Sequence, residues 1–166
     1  GENKVQEAIE KWTEIKKINS KLKLHMIGKL QTNKVKFAVK LFDYIHSVDS
    51  KKLAKKISDE QKKINKKLKI FLQVNIGDEE QKSGVNKKDL SDLVSFCNEI
   101  ELNVIGLMCI PPASIDSEVY FKEMKSLNKT FNFTELSMGM SSDFLTAAKH
   151  SSTFIRVGSS IFGQRS

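Results

Sequence analysis

Apolar residues recur at helical spacing at Val5, Ala8, Ile9, Trp12, Ile15 and Ile18, which predicts a helix over Val5–Asn19. The period then switches, and LKLHMIG (Leu22–Gly28) reads as a strand. The same exchange continues to the end of the chain. Further helices are expected over Asn33–Leu41, from Lys51 to about Ile64 behind a cap at Asp49 or Ser50, and over Lys87–Ile100. Two more run from a cap at Asp116 or Ser117 to about Phe131, and from a cap at Ser141 or Ser142 to Lys149. Further strands are expected at Tyr44–Val48, Lys69–Ile76, Asn103–Ile110 and in the ELSMGM stretch, and Thr153–Gly163 closes the chain with a last strand that runs into a turn or helix. Pro111 and Pro112 lack the N–H that would extend a ladder and so end the fourth strand.

Strict alternation of helices with nearly continuous apolar strands implies a parallel sheet covered by helices. A (β/α)8 barrel and a doubly wound sheet both fit that order. No GxGxxG opens a helix after the first strand, which weakens a dinucleotide-binding fold. No internal repeat or low-complexity linker divides the 166 residues, so one domain spanning 1–166 is expected.

Composition narrows the function classes. No apolar run approaches the ~20 residues of a membrane helix, and the start does not have the pattern of a secretory leader. Cys97 and Cys109 are too few for a disulfide framework and stand in no metal-binding spacing, so a reduced, cytoplasmic setting is expected. The 28 basic residues exceed the 20 acidic ones, for a net charge of +8, yet only Arg156 and Arg165 are arginine. Nucleic-acid readers favour arginine for bidentate contacts. The lysine-rich Lys51–Lys69 segment therefore reads as the solvated face of a helix, with a basic nucleic-acid binder as the alternative. Arg156 stands in an apolar strand, where a charge is costly unless it is partnered.

The chemistry concentrates near the carboxyl end. In SMGMSSD (Ser137–Asp143) and RVGSS (Arg156–Ser160), a strand runs into glycine and hydroxyl residues. Alternation puts Ser137 with Gly139 on one face, and Arg156 with Gly158. Glycine admits a ligand close to the backbone. Ser141 and Ser142 open a helix whose free N–H groups favour an anion, and Ser159 and Ser160 add hydroxyl donors. In (β/α)8 barrels the loops after the last two strands commonly hold phosphate, so the pair points to a phosphate-bearing ligand.

His25 and His46 lie in consecutive strands without an Asp, Glu or Cys to complete a metal set, and read as packed, hydrogen-bonded histidines. His150 follows a helix end and suits its dipole. Met108, Met138 and Met140 read as core or pocket lining. Gln73 and Asn75 share a strand face, either at the mouth or as paired core amides. Ser137 has no His–Asp arrangement nearby in sequence, which argues against a nucleophilic serine.

Taken together, GENKVQEA, HMIGKLQTNK (His25–Lys34), GDEEQKSGV, GLMCIPP (Gly106–Pro112), LSMGMSSDF (Leu136–Phe144) and IRVGSSIFG (Ile155–Gly163) resemble, in this order, the pyridoxal-phosphate homeostasis proteins. The similarity covers nearly the whole chain. It implies a (β/α)8 barrel like the N-terminal domain of alanine racemase, binding pyridoxal 5′-phosphate (PLP) as a non-catalytic carrier or buffer in vitamin B6 and amino-acid homeostasis. Such proteins are usually cytoplasmic and often monomeric, and PLP-dependent apo-enzymes are the implied recipients. By this resemblance Ser137 with its neighbours Met138 and Gly139, together with Gly158 and Ser159, hold the phosphate. Arg156 faces the pyridine nitrogen, Asn3 lies near the ring, and Met108 lines the pocket. A guanidinium cannot take the nitrogen's proton, which disfavours transaminase-like chemistry. A PLP-dependent racemase-like enzyme is the alternative, although no second racemase domain fits in this length.

The family's Schiff-base lysine lies upstream of the GEN motif, and no lysine here takes its position. The expectation is a barrel truncated to about six strands starting at the end of strand 2, impaired in covalent PLP binding but able to hold phosphate or sulfate. Lys82 is the candidate substitute amine. Two unpaired edges further predict an open or rearranged barrel with an exposed interior, or a covering partner or self-association.

Overall fold

The computed structural model describes residues 1–79, 83–113 and 116–163. Six parallel strands are present: β1 (His25–Met26), β2 (Tyr44–Val48), β3 (Lys69–Gln73), β4 (Val104–Met108), β5 (Glu135–Met140) and β6 (Phe154–Arg156). Helices alternate with them: α1 (Val5–Ile18), α2 (Val35–Leu41), α3 (Lys51–Lys63), α4 (Lys87–Glu99), α5 (Ser117–Thr130), α6 (Phe144–Lys149) and a last turn, α7 (Ser159–Phe162). The boundaries fall close to those the hydrophobic pattern predicts. The main differences are short outer strands and Asp143, which stands at the N-cap of α6 in place of Ser141 or Ser142.

Strand order in space equals strand order in sequence, β1-β2-β3-β4-β5-β6, with every pair parallel. Right-handed crossovers between successive neighbours all fall on the same side of the sheet. The helices therefore cover one face only, and the other can be buried only by curling the sheet on itself. This excludes the doubly wound alternative, in which helices lie on both faces. The result is a curled α/β half-barrel of six parallel strands with its helices outside.

The outer core lies between strands and helices. Ile45, Ile70, Leu72 and Leu136 meet Ala38, Val39, Ile57, Leu93 and Ala147 there, and all are buried. The inner core is aromatic. His25 stacks on Tyr44 with ring centres 4.0 Å apart, and His46 on Phe71 at 4.3 Å. Phe154 sets its edge against Phe71 and His46 at 5.4 and 5.8 Å and also comes within 5.6 Å of His25. A side chain from the last strand thus touches a ring on the first, so the curl brings the two ends of the sheet together. The expected exposed interior is corrected on this point: the sheet stays open, but Phe71, Met108 and Ser137 inside it have 0% exposure because rings fill the space. Exposed apolar side chains lie on several elements, including Ile18 and Val119 on the outer helices and Leu145, Ile155, Ile161 and Phe162 near the carboxyl end.

The amino-terminal residues extend the β1 edge. Glu2 N–H donates to the His25 carbonyl at 2.8 Å, and Ile27 N–H donates to the Glu2 carbonyl at 2.9 Å. Gly28 is required here, because a Cβ would collide with the backbone of Asn3. The lysine-rich α3 is laced by ion pairs: Lys55–Asp59, Lys56–Glu60 and Lys63–Glu60 on the helix, and Lys51 to Asp92 of α4. Paired in this way, much of its charge is a solvated surface. No helix among the described residues is long and apolar enough to cross a membrane.

Candidate functional site

The strands place their carboxyl ends at one rim, where β5 and β6 each run into a turn. Strand β5 does not alternate regularly to its end. The register shifts between Ser137 and Met140, and Gly139 adopts φ +91°, where an L side chain is strained. A Cβ on Gly139 would stand 2.5 Å from Ala147 Cβ. The glycine therefore lets α6 fold back against the strand. The shared face expected for Ser137 and Gly139 is lost, because this irregularity breaks the period of two. Asp143 Oδ1 fixes the turn by accepting from Met140 N–H at 2.7 Å.

The two turns meet at Ser141. Its Oγ accepts from the Gly158 amide at 3.3 Å and lies 3.5 Å from the Ser160 amide. Ser141, Gly158, Ser159 and Ser160 thus form one small cluster of hydroxyls and amides at the rim. Among the described residues, a Cβ built on Gly158 would find no atom within 4 Å beyond its chain neighbours.

Ser137 lies deeper. It was expected among the phosphate groups, but its hydroxyl is buried and engaged inside the barrel. Arg156 Nη1 donates to Ser137 Oγ at 2.8 Å, and Ser137 Oγ lies 2.8 Å from His46 Nδ1. Arg156 Nη2 donates to the Cys109 carbonyl, also at 2.8 Å. Among the described residues no carboxylate pairs with Arg156. Removal from water lowers its pKa, although Cys109 and Asp143 act against this. Two of its five N–H hydrogens have acceptors among the described residues.

The other expected residues fall as follows. Met108 is buried on β4 beside Ser137 in register, on the inner side. Met138 is turned the other way, into the core under the helices. Its N–H and carbonyl are both bonded to the Ser152 hydroxyl, at 3.3 and 2.7 Å, so neither its side chain nor its backbone faces the cluster. Asn3 is exposed at the opposite edge of the sheet, just past the Glu2–Met26 bridge. Gln73 and Asn75 hold the loop after β3: Gln73 Nε2 donates to the Ser83 carbonyl at 3.2 Å, and Asn75 Nδ2 donates to the Glu79 carbonyl at 2.9 Å. Lys82 lies outside the described residues. His150 pairs with Glu118 at 3.3 Å rather than serving only the helix dipole.

Sequence reading missed the joining of His25 and His46 to the arginine. His46 Nε2 lies 2.9 Å from His25 Nδ1, so the polar chain runs from β6 through β5 and β2 to β1. Burial, the neighbouring His25, Arg156 and the amino-terminal charge push the His46 pKa down to about 2. Burial and the amino terminus bring His25 down to about 4, against the pull of Asp43. Both rings are neutral at pH 7. No three His, Cys, Asp or Glu side chains group to hold a metal ion among the described residues.

Residues 1–166 match the alanine racemase N-terminal domain family. The chain is 38% identical over 175 residues to a pyridoxal phosphate homeostasis protein of Aquifex aeolicus and 32% identical to that of Escherichia coli K12. The matches take in 99% of the chain and 76% and 75% of those relatives. The solved structure of PipY from Synechococcus elongatus PCC7942 with PLP bound superposes with a TM-score of 0.91 at 35% identity, over 98% of this chain and 80% of that one.

Proposed function

The chain belongs to the pyridoxal phosphate homeostasis proteins of the alanine racemase N-terminal domain family, and from that premise we propose that it binds PLP and holds it for vitamin B6 and amino-acid homeostasis. The observation that carries the reading is the meeting of Ser141 with the Gly158 and Ser160 amides, a short distance along β6 from Arg156, which has no carboxylate partner among the described residues. PLP offers the two features that such a site fits, a phosphate dianion and a ring nitrogen with a free lone pair.

On this reading Ser141, the Gly158 backbone, Ser159 and Ser160 hold the phosphate. Arg156 directs an N–H at the ring nitrogen, and Met108 stands near the ring. Ser137 and Met138 serve the site from behind, the first by anchoring Arg156 and the second as core beneath the strand. Asn3 closes the far side from the β1 edge. When bound, PLP supplies an aldehyde that can condense with amines and a ring that can accept electrons when its nitrogen is protonated. Arg156 cannot give up a proton at neutral pH, so its N–H occupies the nitrogen's lone pair and leaves the ring a weak electron sink. This favours storage and delivery over turnover. It also makes apo-enzymes that need PLP the natural recipients, within the cytoplasm.

Titration of the 166-residue chain with PLP, followed by cofactor absorbance and by Trp12 fluorescence, tests the reading. Saturable binding that inorganic phosphate or sulfate displaces is expected. A chain that neither perturbs the PLP spectrum nor binds it against phosphate competition is not a PLP carrier. Sustained racemisation of alanine by the loaded chain would point to the enzyme alternative.

A further inference from the structure

The inner face of the half-barrel carries a buried hydrogen-bonded chain that ligand contact alone does not explain. Arg156 Nη1, Ser137 Oγ, His46 Nδ1, His46 Nε2 and His25 Nδ1 follow one another at 2.8, 2.8 and 2.9 Å across the three links. Ser137 has 0% exposure and His46 1%, so no water completes their bonding from outside.

The polarity of the chain follows from counting hydrogens. A guanidinium only donates, so the Arg156 link uses a lone pair of Ser137. The Ser137 hydroxyl has one hydrogen, and His46 Nδ1 is the only other partner bonded to it among the described residues. If that hydrogen goes to His46, Nδ1 is an acceptor and the neutral ring carries its hydrogen on Nε2. Nε2–H then donates to His25 Nδ1, and His25 carries its own hydrogen on the outer nitrogen. Every link has one donor and one acceptor. In the reverse polarity His46 Nδ1–H donates into Ser137, whose own hydrogen is left buried without an acceptor among the described residues, which is unfavourable.

We infer that His46, as the Nε2–H tautomer, is a positioning residue for Arg156: by accepting from Ser137 it fixes the hydroxyl lone pair toward the guanidinium and holds that cation at the rim. It touches no ligand. Stacking on Phe71 and the bond to His25 hold the imidazole in plane. Its neutrality matters as much as its shape, since an imidazolium there would place a second cation one hydroxyl away from Arg156. The consequence for PLP rests on the proposed function, but the tautomer and the anchoring of Arg156 do not.

The test has two arms on the full 166-residue chain. First, long-range proton–nitrogen NMR of the unliganded protein at pH 7 reads the His46 tautomer. A protonated Nε2 and an accepting Nδ1 are expected, and a protonated Nδ1 overturns the proposal. Second, PLP affinity is compared for His46→Asn and His46→Leu, with the Arg156 side-chain N–H signals recorded alongside. The Asn oxygen takes the place of Nδ1 as acceptor. His46→Asn should therefore keep the protected Arg156 signals and bind within about threefold of the parent, whereas His46→Leu should broaden them and lose about tenfold or more. Equal losses in the two variants mean that the ring acts only by packing and overturn the assignment. If the parent chain does not bind PLP, the functional reading fails, while the tautomer and the Arg156 signals still decide the positioning role.

Discussion

Arg156 on β6 reaches across β5 to donate to the backbone carbonyl of Cys109, just past the end of β4, at 2.8 Å. Its other terminal nitrogen holds Ser137 on β5, so one side chain ties the carboxyl ends of three strands. An ammonium has the charge but not the planar fork, and cannot reach both acceptors in this geometry. Arg156→Lys should lower unfolding free energy by about 1–3 kcal/mol, read by urea denaturation, and weaken PLP binding.

Gly158 separates folding from binding. Among the described residues, no atom beyond its chain neighbours lies within 4 Å of where its Cβ would stand. Gly158→Val should leave the melting temperature nearly unchanged and fill the space beside the cluster of Ser141 with the Gly158 and Ser160 amides. PLP affinity by fluorescence titration should fall about tenfold or more, the weight of one lost charge-assisted contact.

Ser141 makes the complementary case. Its hydroxyl joins the β5 turn to the Gly158 and Ser160 amides at the rim. Ser141→Ala should weaken both PLP and inorganic phosphate binding several-fold while costing only about 0.5–1.5 kcal/mol of stability. A loss for PLP without any change in phosphate competition would remove Ser141 from the phosphate site.

Gly139 should behave in the opposite way. With φ +91° and Ala147 Cβ 2.5 Å from a built Cβ, Gly139→Ala strains the turn and pushes α6 off the sheet. A loss of about 1–3 kcal/mol in chemical denaturation is expected, with binding falling only as the fold does.

The histidine chain sets a pH window. His46 and His25 are held below their ordinary value of 6.5, at about 2 and about 4. Between those values and 6.5 the unfolded chain binds more protons than the folded one, so stability rises with pH. It is fully present above pH 6.5 and is lost as pH falls, with a slope of up to about 1.4 kcal/mol per pH unit for each imidazole. The charged groups facing the pair are Arg156, Asp43 and the amino terminus. Asp43, whose bonds from Lys16 and Leu24 N–H outweigh its burial, adds its loss only near and below pH 4. Denaturation midpoints measured from pH 7 to 4 should decline, and His46→Asn should flatten that decline.

The element order was legible because period and punctuation are local. Ser50 caps α3 by accepting from Leu53 N–H, and Asp116 caps α5 by accepting from Glu118 N–H, as their places before apolar periodic runs suggest. The rim turns were legible as well, since glycine next to hydroxyl residues after a strand is a local signal. Their internal geometry was not. The irregularity at Gly139 changes which side chains share a face: Ser137 turns into the barrel, while Ser141 meets the Gly158 turn.

By itself the sequence determined an alternating α/β chain, its strands and helices, the glycine-and-hydroxyl turns and, through its motifs, its family. Only the tertiary structure decided that the strands follow one another in order and curl to one side, because nothing local in a strand encodes its neighbours in a sheet. Only it could join His46 to Ser137, 91 positions apart. That bond exists because the curl carries β2 and β5 to face each other, and a buried hydroxyl and a buried imidazole in that dry interior must satisfy one another.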